Sequence, residues 1–209
     1  MGIVATIPEQ RTLLQNVSWE TYKRLLADHG DAPSPRFTFD RGVLEIMSPS
    51  SEHEEYKDAL TLMVRMLADG LGMDIRSLGS TTFKRTELER GFEADACFYI
   101  QSADRVEGKI HIDPAVDPAP DLVIEMEITA PVLNKVPIYA DFRVPEIWRY
   151  DGKRLVILHL RGNEYTEFSQ SRAFPQASAA ELSLLVERSM SLRSRDWWRE
   201  LRSWVQQLQ

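Results

Sequence analysis

The chain has 209 residues, of which 43% are hydrophobic and 27% charged, so it is long enough for one globular domain and too apolar to be intrinsically disordered. Its net charge of -7, from 25 basic and 32 acidic residues, argues against binding nucleic acid through overall positive charge, but not against an enzyme that acts on it. Apolar runs are too short for a membrane-spanning helix or a secretory signal, and Cys97 is the single cysteine. We therefore expect a cytoplasmic protein with no membrane contact.

The pattern of apolar residues predicts one mixed α/β domain built from three regions. We expect residues 1–36 to form an N-terminal helical extension, residues 37–170 the core, and residues 171–209 C-terminal helices that pack on the core or on a second subunit. Within the first region, Ser18 precedes a helical pattern that ends at Gly30.

The core begins with a hairpin and a long helix. Residues 37–47 alternate around a turn at 40–42 (Asp-Arg-Gly), which is typical of two antiparallel strands. Ser51 and Glu54 form a capping-box pattern, so a helix is expected over residues 52–71. The remaining predicted elements are strands over 73–78, 81–85, 94–100, 121–129, 146–150, 154–160 and 165–168, a short strand near Ile110, and helices over 137–143, 179–187 and 195–207.

Two of these strands place carboxylates on one face and apolar side chains on the other. Because side chains alternate along a strand, Asp95 shares its face with Cys97 and Tyr99, and Glu125 and Glu127 share the corresponding face of the later strand. The opposite faces carry Ala94, Ala96, Phe98 and Ile100 on the first strand and Leu122, Ile124, Met126 and Ile128 on the second. A water-exposed acidic face is the simpler interpretation. Two points argue against a water-exposed face. Both strands are apolar enough to lie in the centre of the sheet, and neighbouring acids on central strands need a cation to offset their repulsion.

Paired carboxylates on adjacent strands are suitable ligands for a hard divalent cation. Mg²⁺ binds carboxylate oxygens together with water and substrate phosphate, and it activates a bound water molecule. Lys135 lies in the loop that leaves the second acidic strand, just before a helix that is expected to start near Pro137. Its ammonium group is placed to orient water or to stabilise negative charge on a phosphoryl group. The alternative is an exposed lysine at a helix start.

Four segments together resemble the PD-(D/E)XK nuclease superfamily. The resemblance is strongest to a branch of small bacterial proteins that are regarded as restriction endonucleases and were formerly classed as a domain of unknown function. The segments are LEIMSPS..H (44–53), GFEADACFYI (91–100), PDLVIEMEIT (120–129) and KVPIYADFRVPEIWRY (135–150). They are spread over most of the chain, and only their combination is specific.

The resemblance implies a three-layer α/β/α restriction-endonuclease-like core with a mixed sheet. It also implies Mg²⁺-dependent hydrolysis of phosphodiester bonds in DNA, with Mn²⁺ as a substitute ion. By position, Asp95 matches the motif aspartate and Glu125 the first acid of the (D/E)XK element, so these two are the expected metal ligands. Glu127 stands where the motif has its lysine, and Lys135 matches the displaced lysine of this branch. Ala94 replaces the proline that precedes the motif aspartate.

The expected catalytic residues are therefore Asp95, Glu125, Glu127 and Lys135. Because cutting both strands of DNA needs two sites, we also expect a homodimer.

Other residues near this site carry weaker signals. On the long helix, His53 is placed either to flank the acidic face or, as a histidine at a helix start, to hydrogen-bond to a loop. The family often takes a further acid from this helix, which makes Glu54 and Glu55 additional candidates. Tyr139 and Trp148 are interpreted as core aromatics.

Basic residues cluster in two places. Residues 188–202 carry five arginines and an apolar stripe that includes Trp197. We expect the stripe to pack on the body or on a second subunit, and a helix facing DNA is the alternative. Lys84, Arg85 and Arg90 are the preferred candidates for contacts with a phosphate backbone.

Two other functions stay open. A chain that kept the fold and lost catalysis would act as a binding or assembly module and would not bind Mg²⁺ or Mn²⁺. A glycosidase that uses paired carboxylates without metal would need an aromatic-lined sugar cleft. Lys135 beside the acids and the family resemblance both argue against a glycosidase.

Overall fold

The computed structural model describes residues 8–30 and 32–209, which form two β-sheets and six α-helices. The strands are β1 Gln10–Leu14, β2 Arg36–Asp40, β3 Val43–Ser48, β4 Arg76–Gly79, β5 Thr82–Arg85, β6 Arg90–Glu93, β7 Ala96–Tyr99, β8 Leu122–Met126, β9 Glu146–Tyr150, β10 Leu155–Arg161 and β11 Glu164–Phe168. The helices are α1 Trp19–His29, α2 Ser51–Gly70, α3 Ala103–Val106, α4 Val136–Asp141, α5 Ala179–Ser191 and α6 Ser194–Gln207. No helix in the described ranges is both long enough and apolar enough to cross a membrane.

The first sheet has five antiparallel strands in the order β1-β3-β2-β6-β5. Helix α1 covers one of its faces, where Trp19 and Tyr22 pack against Phe37 and Phe39. Ser18 caps α1, as the sequence predicts, because its side-chain oxygen accepts a hydrogen bond from a backbone amide of the first turn. The predicted hairpin is the β2–β3 pair.

The second sheet has six strands in the order β11-β10-β9-β8-β7-β4 and is mixed, since β8 and β9 run parallel while the other pairs are antiparallel. The long helix α2 and the C-terminal helices α5 and α6 share one hydrophobic core with this sheet. Leu60 and Met63 of α2 meet Phe98, Ile124 and Trp148 of the strands in this core. Helices against a mixed sheet confirm the predicted α/β class.

The chain passes from the first sheet to the second at Ala94 and Asp95, between β6 and β7. The sequence predicts one unbroken strand here, with Ala94 and Ala96 on the same face. That prediction is wrong for Ala94, which joins the apolar cluster of β5, β6 and α4, whereas Ala96 faces α2. The bend between the two sheets changes the direction of the side chains. It therefore also sets where the carboxylate of Asp95 lies.

Two local predictions differ from the structure. Ser50 rather than Ser51 caps α2, and Glu54 contacts Arg36 instead of closing a capping box. Around Ile110 the described chain forms a loop after α3 rather than a strand, and Ile110 is exposed. Strand β1 has no clear signal in the sequence, yet it pairs with β3 along its whole length. The division of the chain into three regions stays a prediction.

Candidate active site at the junction of the two sheets

Asp95 lies fully buried where the chain enters the second sheet. Its Oδ2 accepts a hydrogen bond from the backbone amide of Met126 at 2.6 Å, which fixes the carboxylate against β8. The pairing of β7 with β8 begins at Ala96 opposite Ile124, and the carboxylate of Asp95, one residue earlier, is bonded to the residue that follows Glu125. The two acids that the sequence predicts as partners are therefore neighbours. The interpretation that this face is open to water is wrong, because both acids are buried.

Glu125 is held by two side chains from the start of α4. Its Oε2 accepts a hydrogen bond from Nζ of Lys135 at 3.0 Å, and its Oε1 accepts one from the hydroxyl of Tyr139. Lys135 is the residue before α4 and Tyr139 follows it by four positions, about one helical turn, so both reach the same carboxylate. Burial, with the charge of Glu125, raises the pKa of Tyr139 well above its usual value. Tyr139 therefore keeps its proton and donates a hydrogen bond to Glu125, in addition to being the core aromatic that its sequence context indicates.

A buried arginine contacts the other carboxylate. Arg36, the first residue of β2, donates to Oδ1 of Asp95 and, through Nη2, to Oε1 of Glu54 at 2.6 Å. Glu54 is partly exposed and also pairs with Lys57. The further acid expected from α2 thus reaches the site only through Arg36, and the structure gives Glu55 no contact with it in the described residues.

The ring of His53 flanks the acidic pair on one side and bonds to the loop segment before β1 on the other. Its Nε2 lies 2.8 Å from Oδ1 of Asp95, and its Nδ1 lies 2.6 Å from Oε2 of Glu9. Glu9 also accepts hydrogen bonds from Arg11 and Thr129. Burial opposes the ionisation of Glu9, but the hydrogen bonds from His53, Thr129 and Arg11 outweigh it and lower the pKa of Glu9 to about 2. A carboxylate from the segment before β1 is therefore part of the same network.

Glu127 lies on the solvent side of the site. It faces Arg149, with Oε2 3.5 Å from the guanidinium Nε, and both side chains are partly exposed. Partial burial raises the pKa of Glu127 despite the charge of Arg149. Glu127 is thus only two residues from Glu125 in the sequence, but its ion pair is with Arg149 and not with the groups that bind Asp95 and Glu125.

The structure therefore groups Asp95, Glu125 and Lys135 as the sequence predicts, and it adds groups that the sequence interpretation missed. These are Arg36, Tyr139, Glu9 and Arg11. The spacing of Tyr139 from Lys135 is the one available signal, since residues four apart share a helix face. Arg36 and Glu9 approach the site from distant parts of the chain, and no local pattern indicates that approach.

Families with restriction-endonuclease-like folds generally use divalent metal ions, and the donors here fit such an ion in kind. Asp95 and Glu125 supply the hard oxygen ligands that Mg²⁺ prefers, and this ion commonly takes only one or two carboxylates, with water and substrate phosphate completing its shell. Among residues 8–30 and 32–209, no group of three or more His, Cys, Asp or Glu side chains is arranged to hold a metal. An ion at this site would have to compete with Arg36 and Lys135 for the carboxylate oxygens.

The other basic candidates differ in how open they are. Lys84 is exposed, while Arg85 is partly buried and pairs with Glu87. Arg90 is buried and pairs with Asp40 and Asp141. The interpretation of Arg90 as a contact to phosphate is therefore wrong in this structure, because its guanidinium group is buried in ion pairs with two carboxylates of the protein.

The apolar stripe of α6 lies in the core around α2, with Trp197 buried and its indole nitrogen donating to the carbonyl of Leu185 at 2.8 Å. Two arginines of this region form surface ion pairs, Arg188 with Glu200 and Arg199 with Asp196.

The two sheets and the helices packed on them form a nuclease-like fold. Residues 19–193 match the sequence model of the Uma2 family, whose description is "putative restriction endonuclease", and the chain belongs to this family. A crystal structure of a putative nuclease of the DUF820 group from Anabaena variabilis shares the fold, with a TM-score of 0.53 and 11% sequence identity. The similarity covers 81% of this chain and 99% of that one. No curated protein matches the chain.

Proposed function

We propose that this protein is a metal-dependent endonuclease that hydrolyses phosphodiester bonds in DNA. The observation that carries the proposal is the position of buried Asp95 beside β8, bonded to the residue after Glu125, with the ammonium group of Lys135 bonded to Glu125. Membership of a family described as restriction endonucleases gives this arrangement its chemical context.

Asp95 and Glu125 are the residues that would hold the ion, with Mg²⁺ proposed as the natural one and Mn²⁺ as a substitute. When bound there, the ion acts as a Lewis acid on a phosphoryl oxygen and lowers the pKa of a coordinated water molecule. The backbone amide of Met126 and the hydroxyl of Tyr139 keep the two carboxylates oriented before any substrate arrives.

Lys135 provides the positive charge at the reacting phosphate. Its ammonium group orients the attacking water molecule and stabilises negative charge that develops on the phosphoryl oxygens. Glu125 holds Lys135 at 3.0 Å, so this charge is already beside the carboxylate pair before substrate binds.

Glu127 is proposed as the proton acceptor for the attacking water. Burial raises its pKa, which brings it nearer to the pH at which a general base works efficiently. Its position beside Arg149, on the partly exposed side of the site, leaves it open to water and to substrate.

Double-stranded DNA as substrate implies two sites acting together, so the proposal includes a homodimer. A cytoplasmic location is also part of the proposal, and it agrees with a single, buried cysteine, Cys97.

One observation favours a second candidate function, in which the fold is kept as a binding or assembly module without catalysis. Each oxygen of Asp95 and Glu125 already has a hydrogen-bond partner within the protein. Arg36 and Lys135 offset the two negative charges, so the buried pair is stable without an ion.

A plasmid-nicking assay separates the two functions. Wild type is compared with Glu125→Gln, which keeps the side-chain shape, and with Glu164→Gln as a control at an exposed position of β11. If the protein is an endonuclease, wild type nicks the plasmid with Mg²⁺ or Mn²⁺ and does not nick it with EDTA. In Glu125→Gln the nicking rate should fall by at least roughly 100-fold, the loss known for groups that support a metal ligand. Absence of nicking by wild type with every ion and DNA form would favour the module.

A further inference from the structure

We propose that Glu9 is a positioning residue of this site, which acts through His53 to fix the orientation of Asp95. The inference rests on the proposed nuclease function and adds to it a residue from a segment that the family match does not include. That match begins at residue 19, ten positions after Glu9.

The proposal depends on a continuous chain of three buried side chains. Oε2 of Glu9 lies 2.6 Å from Nδ1 of His53, and Nε2 of the same ring lies 2.8 Å from Oδ1 of Asp95. All three side chains have an exposed fraction of 1% or less. Because an imidazole ring is rigid, holding its Nδ1 also fixes the direction in which its Nε2 meets the aspartate.

Glu9 is itself held firmly enough to serve as an anchor. It accepts hydrogen bonds from Nε of Arg11 at 2.7 Å and from the hydroxyl of Thr129, and Arg11 continues to Glu45 at 3.2 Å. Strand β1, which starts one residue later, is paired with β3 over five residue pairs. Thr129 belongs to the segment that follows β8, so Glu9 connects the N-terminal segment with both acidic strands of the site.

Removing this anchor would loosen Asp95 specifically. In Glu9→Gln the carboxylate that binds Nδ1 of His53 becomes a neutral amide, so the hydrogen bond weakens and the ring is held less firmly. Asp95 would then keep its contacts with Met126 and Arg36, while its third partner, His53, would no longer be fixed in one orientation. Loss of groups that orient a metal ligand typically weakens metal binding 10- to 100-fold, on the order of what we expect here.

A role limited to attaching β1 to the body is the competing explanation, and a double-mutant cycle distinguishes the two. The cycle uses full-length wild type, Glu9→Gln, His53→Gln and the double variant. Gln10→Ala, at the neighbouring exposed position that starts β1, is the control. The measured quantities are the dissociation constant for Mn²⁺ by calorimetry, the ¹⁵N shifts of the His53 ring in metal-free protein, and plasmid nicking.

The proposal predicts that Glu9→Gln weakens Mn²⁺ binding by about 10- to 100-fold and shifts the ring nitrogens of His53, while Gln10→Ala changes neither. It also predicts that Glu9→Gln has no further effect on Mn²⁺ affinity once His53→Gln is present, because the two residues act in series.

Equal effects of Glu9→Gln in both backgrounds would overturn the proposal, since they would show that Glu9 acts independently of His53. Unchanged Mn²⁺ affinity in Glu9→Gln, in a wild-type protein that binds Mn²⁺ and nicks DNA, would also overturn it and leave the nuclease function intact. A wild-type protein that neither binds Mn²⁺ nor nicks DNA would instead overturn the nuclease function, and the positioning role with it.

Discussion

Nζ of Lys135 lies 3.0 Å from Oε2 of Glu125, although the lysine follows the glutamate by ten residues and belongs to a different element. In the sequence motif the lysine is expected two positions after this acid, where the chain has Glu127. The loop between β8 and α4 brings Lys135 back to the carboxylate instead. The distance explains how a chain with a glutamate at the lysine position retains a positive charge beside its acidic pair.

Replacing this lysine tests its chemical role. We expect Lys135→Met to lower the rate of DNA nicking by about 10²- to 10³-fold, the usual cost of removing one group that stabilises charge in the transition state. Mn²⁺ affinity should be unchanged or higher, because a cation that competes for Glu125 is gone. Nicking rates and calorimetry check both outcomes, with Lys153→Met, in an exposed turn, as the control. A Lys135→Met protein that nicks DNA at the wild-type rate would exclude the lysine from the reaction.

The low pKa of Glu9 predicts how stability depends on pH. Its pKa in the folded protein is about 2, below its usual value of 4.5, so ionised Glu9 stabilises the folded state. This stabilisation is complete above about pH 4.5 and is lost as the pH falls towards 2. The free energy of unfolding of wild type should therefore exceed that of Glu9→Gln at pH 7, and the difference should narrow at pH 3. Urea denaturation at the two pH values measures it, and a difference that stays constant would contradict the assigned hydrogen bonds.

Two adjacent tryptophans of α6 should differ sharply in their contribution to stability. Trp197 is 4% exposed and packs in the core with α2, whereas Trp198 is 48% exposed. We expect Trp197→Ala to lower the free energy of unfolding by about 3–5 kcal/mol, and Trp198→Ala to change it by no more than roughly 0.5 kcal/mol. Chemical denaturation of both variants makes the comparison. Similar losses at the two positions would show that α6 packs differently.

Gly91 allows the close approach of α1 to the first sheet. A Cβ at this position would lie 2.4 Å from the hydroxyl oxygen of Tyr22, which is buried and has no hydrogen-bond partner among the described residues. Gly91→Ala should therefore destabilise the protein by about 1–3 kcal/mol through overpacking. Adding Tyr22→Phe should restore much of this loss, since it removes the clashing oxygen and an unpaired polar group. Thermal unfolding of the single and double variants checks this, and a double variant no more stable than Gly91→Ala would show that the hydroxyl is not the obstacle.

The sequence predicts the parts of this fold that depend on local patterns. The alternation of apolar and polar residues predicts β8 and the apolar face of β7. Pro137 predicts where α4 starts, and therefore that Lys135 lies just before it. The residues that were missed depend on tertiary contacts. The chain changes sheet at Asp95 without a glycine or proline beside it to indicate the change. Arg36 contacts Asp95 across 59 residues of the chain, and Glu9 contacts His53 across 44. Such contacts are set by how the two sheets pack, which no periodicity in a single segment encodes.

The most direct test of the account is a titration of Mn²⁺ into wild type and Asp95→Asn by calorimetry, with plasmid nicking measured on the same samples. Wild type should bind Mn²⁺ and nick DNA. Asp95→Asn, which keeps the shape of the side chain and removes its charge, should lose both. Absence of Mn²⁺ binding by wild type, or binding and nicking that persist in Asp95→Asn, would contradict the assignment of this buried pair as the catalytic centre.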